Sequence, residues 1–171
     1  MSMLAAAHDR LLNGLAAAAA WLVLVLVGLI SVNVTLRTLN WGVIAWSDEV
    51  SEYAVYAVTL MAAPWLLRRG QHVRVDITIR AVPPAVGWAL ELVADAIGVA
   101  ISLVLAWYAV VVVVASARTG SITVKTLVFP EWWVLTPLPL CFALLAVEFW
   151  LRLTRLAGGP RVPRPSSGGM G

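Results

Sequence analysis

The sequence is poor in charged residues. Only 12% of its 171 residues are charged, against 61% that are hydrophobic, and the mean hydropathy is +0.91. Soluble domains average about half apolar and about a quarter charged, so a chain of this size could not bury that much apolar surface in water. The composition therefore predicts an integral membrane protein that uses lipid as part of its solvent.

Residue types that bind metals and cofactors are also scarce. The single cysteine, Cys141, excludes an internal disulfide and a cysteine-ligated metal cluster. His8 and His72 are the only histidines, too few to supply paired axial ligands to a membrane haem. The chain has no Gly-rich phosphate loop, nucleophile elbow or HExxH motif. We therefore expect no enzymatic activity and no cofactor in this chain.

Four apolar stretches are long enough to cross a bilayer, which takes about 20 helical residues. They cover approximately residues 12–36, 48–67, 84–117 and 132–153. We predict an all-α integral membrane fold with one four-helix membrane domain over 1–156 and short amphipathic segments at the membrane surface. The tail, 157–171, is rich in Pro, Gly and Ser and is predicted to be disordered.

The basic residues predict the orientation of these spans. One side, with the N-terminus, the second loop and the C-terminus, holds nine: Arg10, Arg68, Arg69, Arg74, Arg80, Arg152, Arg155, Arg161 and Arg164. The other side holds three: Arg37, Arg118 and Lys125. By the positive-inside rule both termini are expected in the cytoplasm of a bacterial inner membrane. The same rule explains the net charge of +3 without a nucleic-acid partner.

Acidic and tyrosine side chains share one stripe at the start of the second predicted helix. Their spacing of three and four residues puts Glu49, Glu52, Tyr53 and Tyr56 on one face. Arg37 ends the preceding helix on the same side of the membrane and could pair with either glutamate. The stripe is open to two interpretations, an ion or substrate site and a structural ion pair, and we favour the structural one.

The third predicted helix carries two acids near its cytoplasmic end. Glu91 and Asp95 are four residues apart and would repel each other if both were ionised. Either one is protonated, or a basic residue from elsewhere lies between them, and the candidates are Arg152, Arg155 and Arg80. This pattern predicts a helix contact more than a chemical function.

A stripe of small residues follows on the same helix. It repeats every four residues and comprises Ala94, Gly98, Ser102 and Ala106. Small side chains let helix backbones approach closely in a membrane, so the stripe predicts a helix–helix face.

The loop after the second span carries the most specific pattern. It reads R-R-G-Q-H-V-R-V-D over 68–76, and it follows Arg37 and W-S-D-E-V-S-E-Y over 46–53. A lone histidine such as His72 could bind a metal, but we expect it to cap or pair locally. The order and spacing resemble the small membrane subunit of tripartite ATP-independent periplasmic (TRAP) transporters, the DctQ-like family. The matching positions are Gly70, His72, Val73, Val75, Asp76, Val82 and Pro83.

The resemblance implies a set of partners and a role. Members of that family associate with a large multi-span subunit, which moves the solute by an elevator-like motion, and with a periplasmic solute-binding protein. The solute is commonly an organic acid, and sodium coupling is expected in the partner subunit. We therefore expect a scaffold subunit, surrounded by membrane lipids, whose third-helix small stripe or second-helix Tyr/Glu stripe packs against the large subunit.

Three alternatives remain at this point. A self-sufficient four-helix carrier would need an essential acid near the middle of a span, and the sequence offers none. A membrane anchor for an electron-transfer enzyme conflicts with the histidine count. The small subunit of tripartite tricarboxylate systems shares the four-span plan but lacks the G-x-H-x-x-x-D pattern.

Overall fold

Four long helices dominate the computed structural model, which describes residues 2–69, 83–124 and 127–159. The helices and strands are α1 (Ser2–Thr38), α2 (Ser47–Arg68), α3 (Pro84–Thr119), β1 (Ile122–Val124), β2 (Val128–Pro130), α4 (Glu131–Leu135) and α5 (Pro137–Ala157). Over the described ranges, α1, α2, α3 and the α4–α5 unit are each long and apolar enough to cross a membrane. The predicted all-α class with four spans is confirmed.

The helix boundaries differ from the prediction mainly in α1 and before α5. Helix α1 begins at Ser2, about ten residues before the predicted start, because the residues before Leu12 are mostly good helix formers. The fourth predicted span is divided at Thr136, with the short α4 before it and Pro137 at the first position of α5. Proline suits that position because its missing N–H has no partner within the first turn.

A short β-hairpin joins α3 to α4. Its antiparallel register pairs Ile122 with Pro130, Thr123 with Phe129 and Val124 with Val128. Helix α3 ends at Thr119, and the next residue, Gly120, has a φ of 66°, the left-handed conformation that glycine adopts most readily. The sequence predicts only a surface segment here, because three-residue strands give too little alternation to distinguish from a loop.

The helices form a layer in which α2 and α5 are central. The main contacts run from α1 to α2, from α2 to α5, and from α5 to α3. In the most apolar window of each span, only 6% of the residues of α1 and α3 are buried, against 17% for α2 and the α4–α5 unit. The outer helices therefore present long apolar faces to whatever surrounds the molecule.

The centre of the small-residue stripe of α3, Gly98 and Ser102, lies beside α5, whereas Ala94 is exposed. A Cβ atom placed on Gly98 would lie 2.6 Å from ring carbons of Phe149, and Ser102 is only 5% exposed. The predicted helix–helix face is therefore real, but its partner is a helix of the same chain. The prediction that Gly98 and Ser102 meet a large subunit is wrong, since α5 already occupies that face.

Candidate functional site

Arg152 ties three helices together at the end of the layer where Arg68, Arg69, Arg152 and Arg155 lie, here called the arginine end. Its Nη1 donates a 2.7 Å hydrogen bond to the carbonyl oxygen of Leu67, at the end of α2. Its Nε lies 3.4 Å from Oδ1 of Asp95 on α3. Asp95 is 3% exposed, and a carboxylate so deeply buried needs a charged or hydrogen-bonding partner. The predicted contact with a basic residue is confirmed for Asp95 and Arg152.

Helix α1 joins the same end through two further pairs. His8 Nε2 lies 3.2 Å from Oε2 of Glu148, which is 1% exposed on α5. Arg68 Nη2 lies 2.7 Å from Oδ1 of Asp9, linking the end of α2 to α1. The four long helices are therefore fastened to one another by polar side chains at this end.

Two tryptophans complete the arginine end. The indole N–H of Trp65 donates to Oδ1 of Asn13, and that of Trp88 donates to the carbonyl oxygen of Leu156, each at 3.2 Å. The guanidinium carbon of Arg69 lies 4.5 Å from the ring centroid of Trp65. Tryptophans with a satisfied N–H and a large apolar ring are typical of the boundary between lipid and water.

At the opposite end, here called the hairpin end, Asn33 organises the turn between α1 and α2. Its Nδ2 donates to Oγ of Ser47 at 2.6 Å, and its Oδ1 accepts from the backbone N–H of Ile44 at 2.9 Å. Ser47 is only 1% exposed. One amide side chain therefore positions both the turn and the first residue of α2.

Glu49 fastens the β-hairpin to α2. The carboxylate is 6% exposed and accepts hydrogen bonds from the backbone N–H of Leu127 at 2.9 Å and from the Tyr53 hydroxyl at 3.4 Å. The Tyr53 ring meets Phe129 of the hairpin edge-on, with centroids 5.3 Å apart. Arg37 is exposed, and within the described ranges it makes no ion pair with Glu49. The partner of Glu49 is therefore the backbone of the hairpin and not Arg37, which the sequence suggested.

The remaining predicted residues divide into three groups. Glu52 is exposed, whereas Tyr56 is half-buried with its hydroxyl oxygen enclosed, and Glu91 is 6% exposed. Gly98 and Ser102 lie at the α3–α5 contact. Gly70, His72 and Asp76 fall outside the described residues.

Several residues that organise the ends were not predicted. The His8–Glu148 contact joins residues 140 positions apart, and neither side chain belongs to a pattern that points to the other. Asn33 is an amide side chain near the end of a long apolar span, and that position was the available signal. Glu148 and Arg152 are four residues apart on α5, a spacing that places them on one face.

The buried acids Glu49, Asp95 and Glu148 each contact another element, so the arrangement serves to hold the elements together. Across residues 8–69, 83–123 and 127–159, no three His, Cys, Asp or Glu side chains converge closely enough to hold a metal ion. Between the two ends, the spans contribute apolar and small side chains.

Comparison with known proteins gave one family. The model described as "Tripartite ATP-independent periplasmic transporters, DctQ component" matches residues 26–158, from the middle of α1 to just past the end of α5. No curated protein matches the chain.

Proposed function

The chain belongs to the DctQ component family of tripartite ATP-independent periplasmic transporters, and on this premise we propose that it is the scaffold of the transport subunit and not the carrier. Family membership makes it a small membrane component of such a transporter. The scaffold role, the solute class and the orientation belong to the proposal.

The absence of ionisable side chains from the centre of the spans carries this proposal. Residues 11–36, 53–67, 96–117 and 132–147 include no Asp, Glu, Lys, Arg or His. Secondary carriers bind their solute and coupling ion near the middle of the bilayer, usually at broken helices. Here the ionisable groups lie towards the helix ends, and several of them, including Arg68, Asp95 and Arg152, join one helix to another. This distribution supports the proposal that the chain is a rigid scaffold for another membrane protein.

The exposed outer helices supply the surface that such a support needs. Apolar side chains such as Trp21 on α1 and Trp107 on α3 are 70% and 69% exposed. We propose that a large multi-span subunit covers part of this surface and lipid covers the rest. A periplasmic binding protein delivers an organic acid or a similar solute to the complex, sodium coupling resides in the large subunit, and this chain holds no cofactor.

The proposal also fixes an orientation and a location. The arginine end lies on the cytoplasmic side of the inner membrane and the hairpin end faces the periplasm, because the side with more Lys and Arg stays inside. Glu49 and the hairpin then stand on the side from which the binding protein approaches.

Reconstitution with separate components tests the scaffold role. The full-length chain, the large subunit and the binding protein are purified separately, and solute accumulation is measured in proteoliposomes under an inward sodium gradient. We expect accumulation with all three components. We expect background levels when this chain is the only protein in the membrane, with or without the binding protein.

Two controls make the outcome decisive. Liposomes with the large subunit and binding protein but without this chain should show strongly reduced uptake, and an affinity tag on this chain should recover the large subunit from detergent extracts. Accumulation by this chain alone would show that it is a carrier, and full uptake in its absence would remove the scaffold role.

A further inference from the structure

A groove between α1 and α2 opens on the outer face of the layer at the arginine end. It has a volume of about 530 Å³, within the range of small-molecule pockets. One wall is the alanine run of α1, with Ala16 and Ala20 among its members, and the other includes Ala62 and Leu66 of α2. Because alanine side chains end at Cβ, the two helices leave an open channel where larger residues would fill it.

The polarity of the groove changes along its length. At the arginine end it is lined by Asn13, Trp65 and Arg69. Towards the membrane centre it is lined by alanine and by Val23 and Val58. The indole of Trp65 is held by Asn13, and it supports the guanidinium of Arg69 at 4.5 Å, so the polar rim has a defined geometry.

The rim is cationic. Arg69 is exposed, and none of the described carboxylates pairs with it. The nearest acid along α1, Asp9, is bound to Arg68 at 2.7 Å. Arg69 is therefore placed to meet an anion at the mouth of the groove.

We propose that this groove binds an anionic phospholipid. The phosphate lies against Arg69, Asn13 and Trp65 border the glycerol region, and one acyl chain runs along the alanine wall towards the membrane centre. A basic rim above an apolar channel matches the charge and polarity of such a lipid from end to end, and basic pockets between helices favour anionic headgroups. An apolar helix of a partner protein would complement the alanine wall but would leave Arg69 without an anion.

Native mass spectrometry on the full-length chain, released from nanodiscs of equal parts phosphatidylglycerol and phosphatidylcholine, tests the proposal. The fraction of protein carrying each lipid is measured at matched activation energy. We expect the wild-type protein to retain phosphatidylglycerol in preference to phosphatidylcholine. Since one arginine near the surface is worth about a fivefold change in affinity for anionic lipid, Arg69→Gln should lower the preference about fivefold, whereas Arg69→Lys should keep most of it.

Matched variants separate the groove from general effects of charge and bulk. Ala20→Phe fills the channel and should reduce retention of the lipid, whereas Ala18→Phe, on an exposed position of α1 outside the groove, should not. Arg155→Gln removes an exposed charge from the same end of the molecule and should leave the preference unchanged.

Three results would overturn the proposal. Equal retention of both lipids by the wild-type protein would mean that the groove holds no specific lipid. An equal loss in Arg155→Gln and Arg69→Gln would show attraction by the whole arginine end. Unchanged lipid retention in Ala20→Phe, together with loss of co-purification with the large subunit, would assign the groove to a protein helix.

Discussion

Gly98 is a residue at which α3 and α5 approach closely. Its missing side chain accommodates the ring of Phe149, whose carbons would lie 2.6 Å from a Cβ. Close packing makes such a position sensitive to one added methyl group, because the ring can move only by leaving its own contacts. The position thus matters for holding two helices of this chain together.

Gly98→Ala should therefore destabilise the fold. We expect a loss of about 1 to 3 kcal/mol in the free energy of unfolding, the usual cost of overpacking a filled site, measured by denaturant titration in detergent micelles. Gly28→Ala provides the control, since nothing lies within 4 Å of its added Cβ, and it should be neutral or slightly stabilising. Combining Gly98→Ala with Phe149→Leu should recover part of the loss; equal stability of Gly98→Ala and wild type would contradict the close contact.

Sequence reasoning at the residue scale succeeded where a regular spacing carried the information. The stripe through Gly98 follows a four-residue repeat, so its role as a helix face was predictable, whereas the identity of the facing helix was not. Glu49 illustrates the opposite case. Its partner is the backbone N–H of Leu127, 78 residues later, and a backbone donor leaves no trace in the sequence.

At the scale of elements, the polar contacts that hold the helices and the hairpin together lie towards the helix ends. Arg152 meets Asp95 of α3 and the last turn of α2, His8 meets Glu148, and Glu49 holds the β-hairpin. In lipid, a polar group without a hydrogen-bonding partner is costly. These contacts therefore give partners to groups that would otherwise be buried unpaired. The number and approximate positions of the four spans could be predicted because apolar length determines them. The hairpin could not, since its strands have three residues each.

Arg152→Ala should be the most damaging single substitution at the arginine end. It removes the guanidinium that faces the buried Asp95 and the donor to Leu67, and losing one partner of a buried pair costs about 3 to 5 kcal/mol. The measurement is the thermal midpoint and the detergent-extractable yield. Arg155→Ala, an exposed arginine on the same helix, should change stability by no more than about 0.5 kcal/mol. Similar losses in both variants would refute the pairing.

The whole molecule is a layer with two outer helices that are mostly uncovered. Helix α1 has 37 residues and α3 has 36, so each is about 55 Å long, well beyond the roughly 30 Å of a hydrocarbon core. These helices therefore tilt or extend past the bilayer. The sequence predicted the number of spans and the length of α3, but the order of the layer depends on contacts such as His8–Glu148, which no local pattern encodes.

Cysteine labelling tests the proposed orientation of this layer. In a Cys141→Ala background, Leu39→Cys places a thiol at the hairpin end and Ala157→Cys places one at the arginine end, both at exposed positions. A membrane-impermeant maleimide applied to spheroplasts should label Leu39→Cys and should label Ala157→Cys only after the membrane is permeabilised. The reverse pattern would show that the arginine end faces outwards. The wild-type Cys141, which is 5% exposed, should stay unlabelled in either case.

The hydrogen bond between Arg152 and the carbonyl oxygen of Leu67 also has a consequence for biosynthesis. The two residues are 85 positions apart, so at roughly 5 to 20 residues per second the ribosome makes Arg152 about 4 to 17 seconds after Leu67. During that interval α2 and α3 leave the ribosome without the guanidinium that later joins them. Asp95 of α3 therefore lacks its Arg152 partner until α5 has been synthesised. Nascent chains that stall before Arg152 do not form this contact.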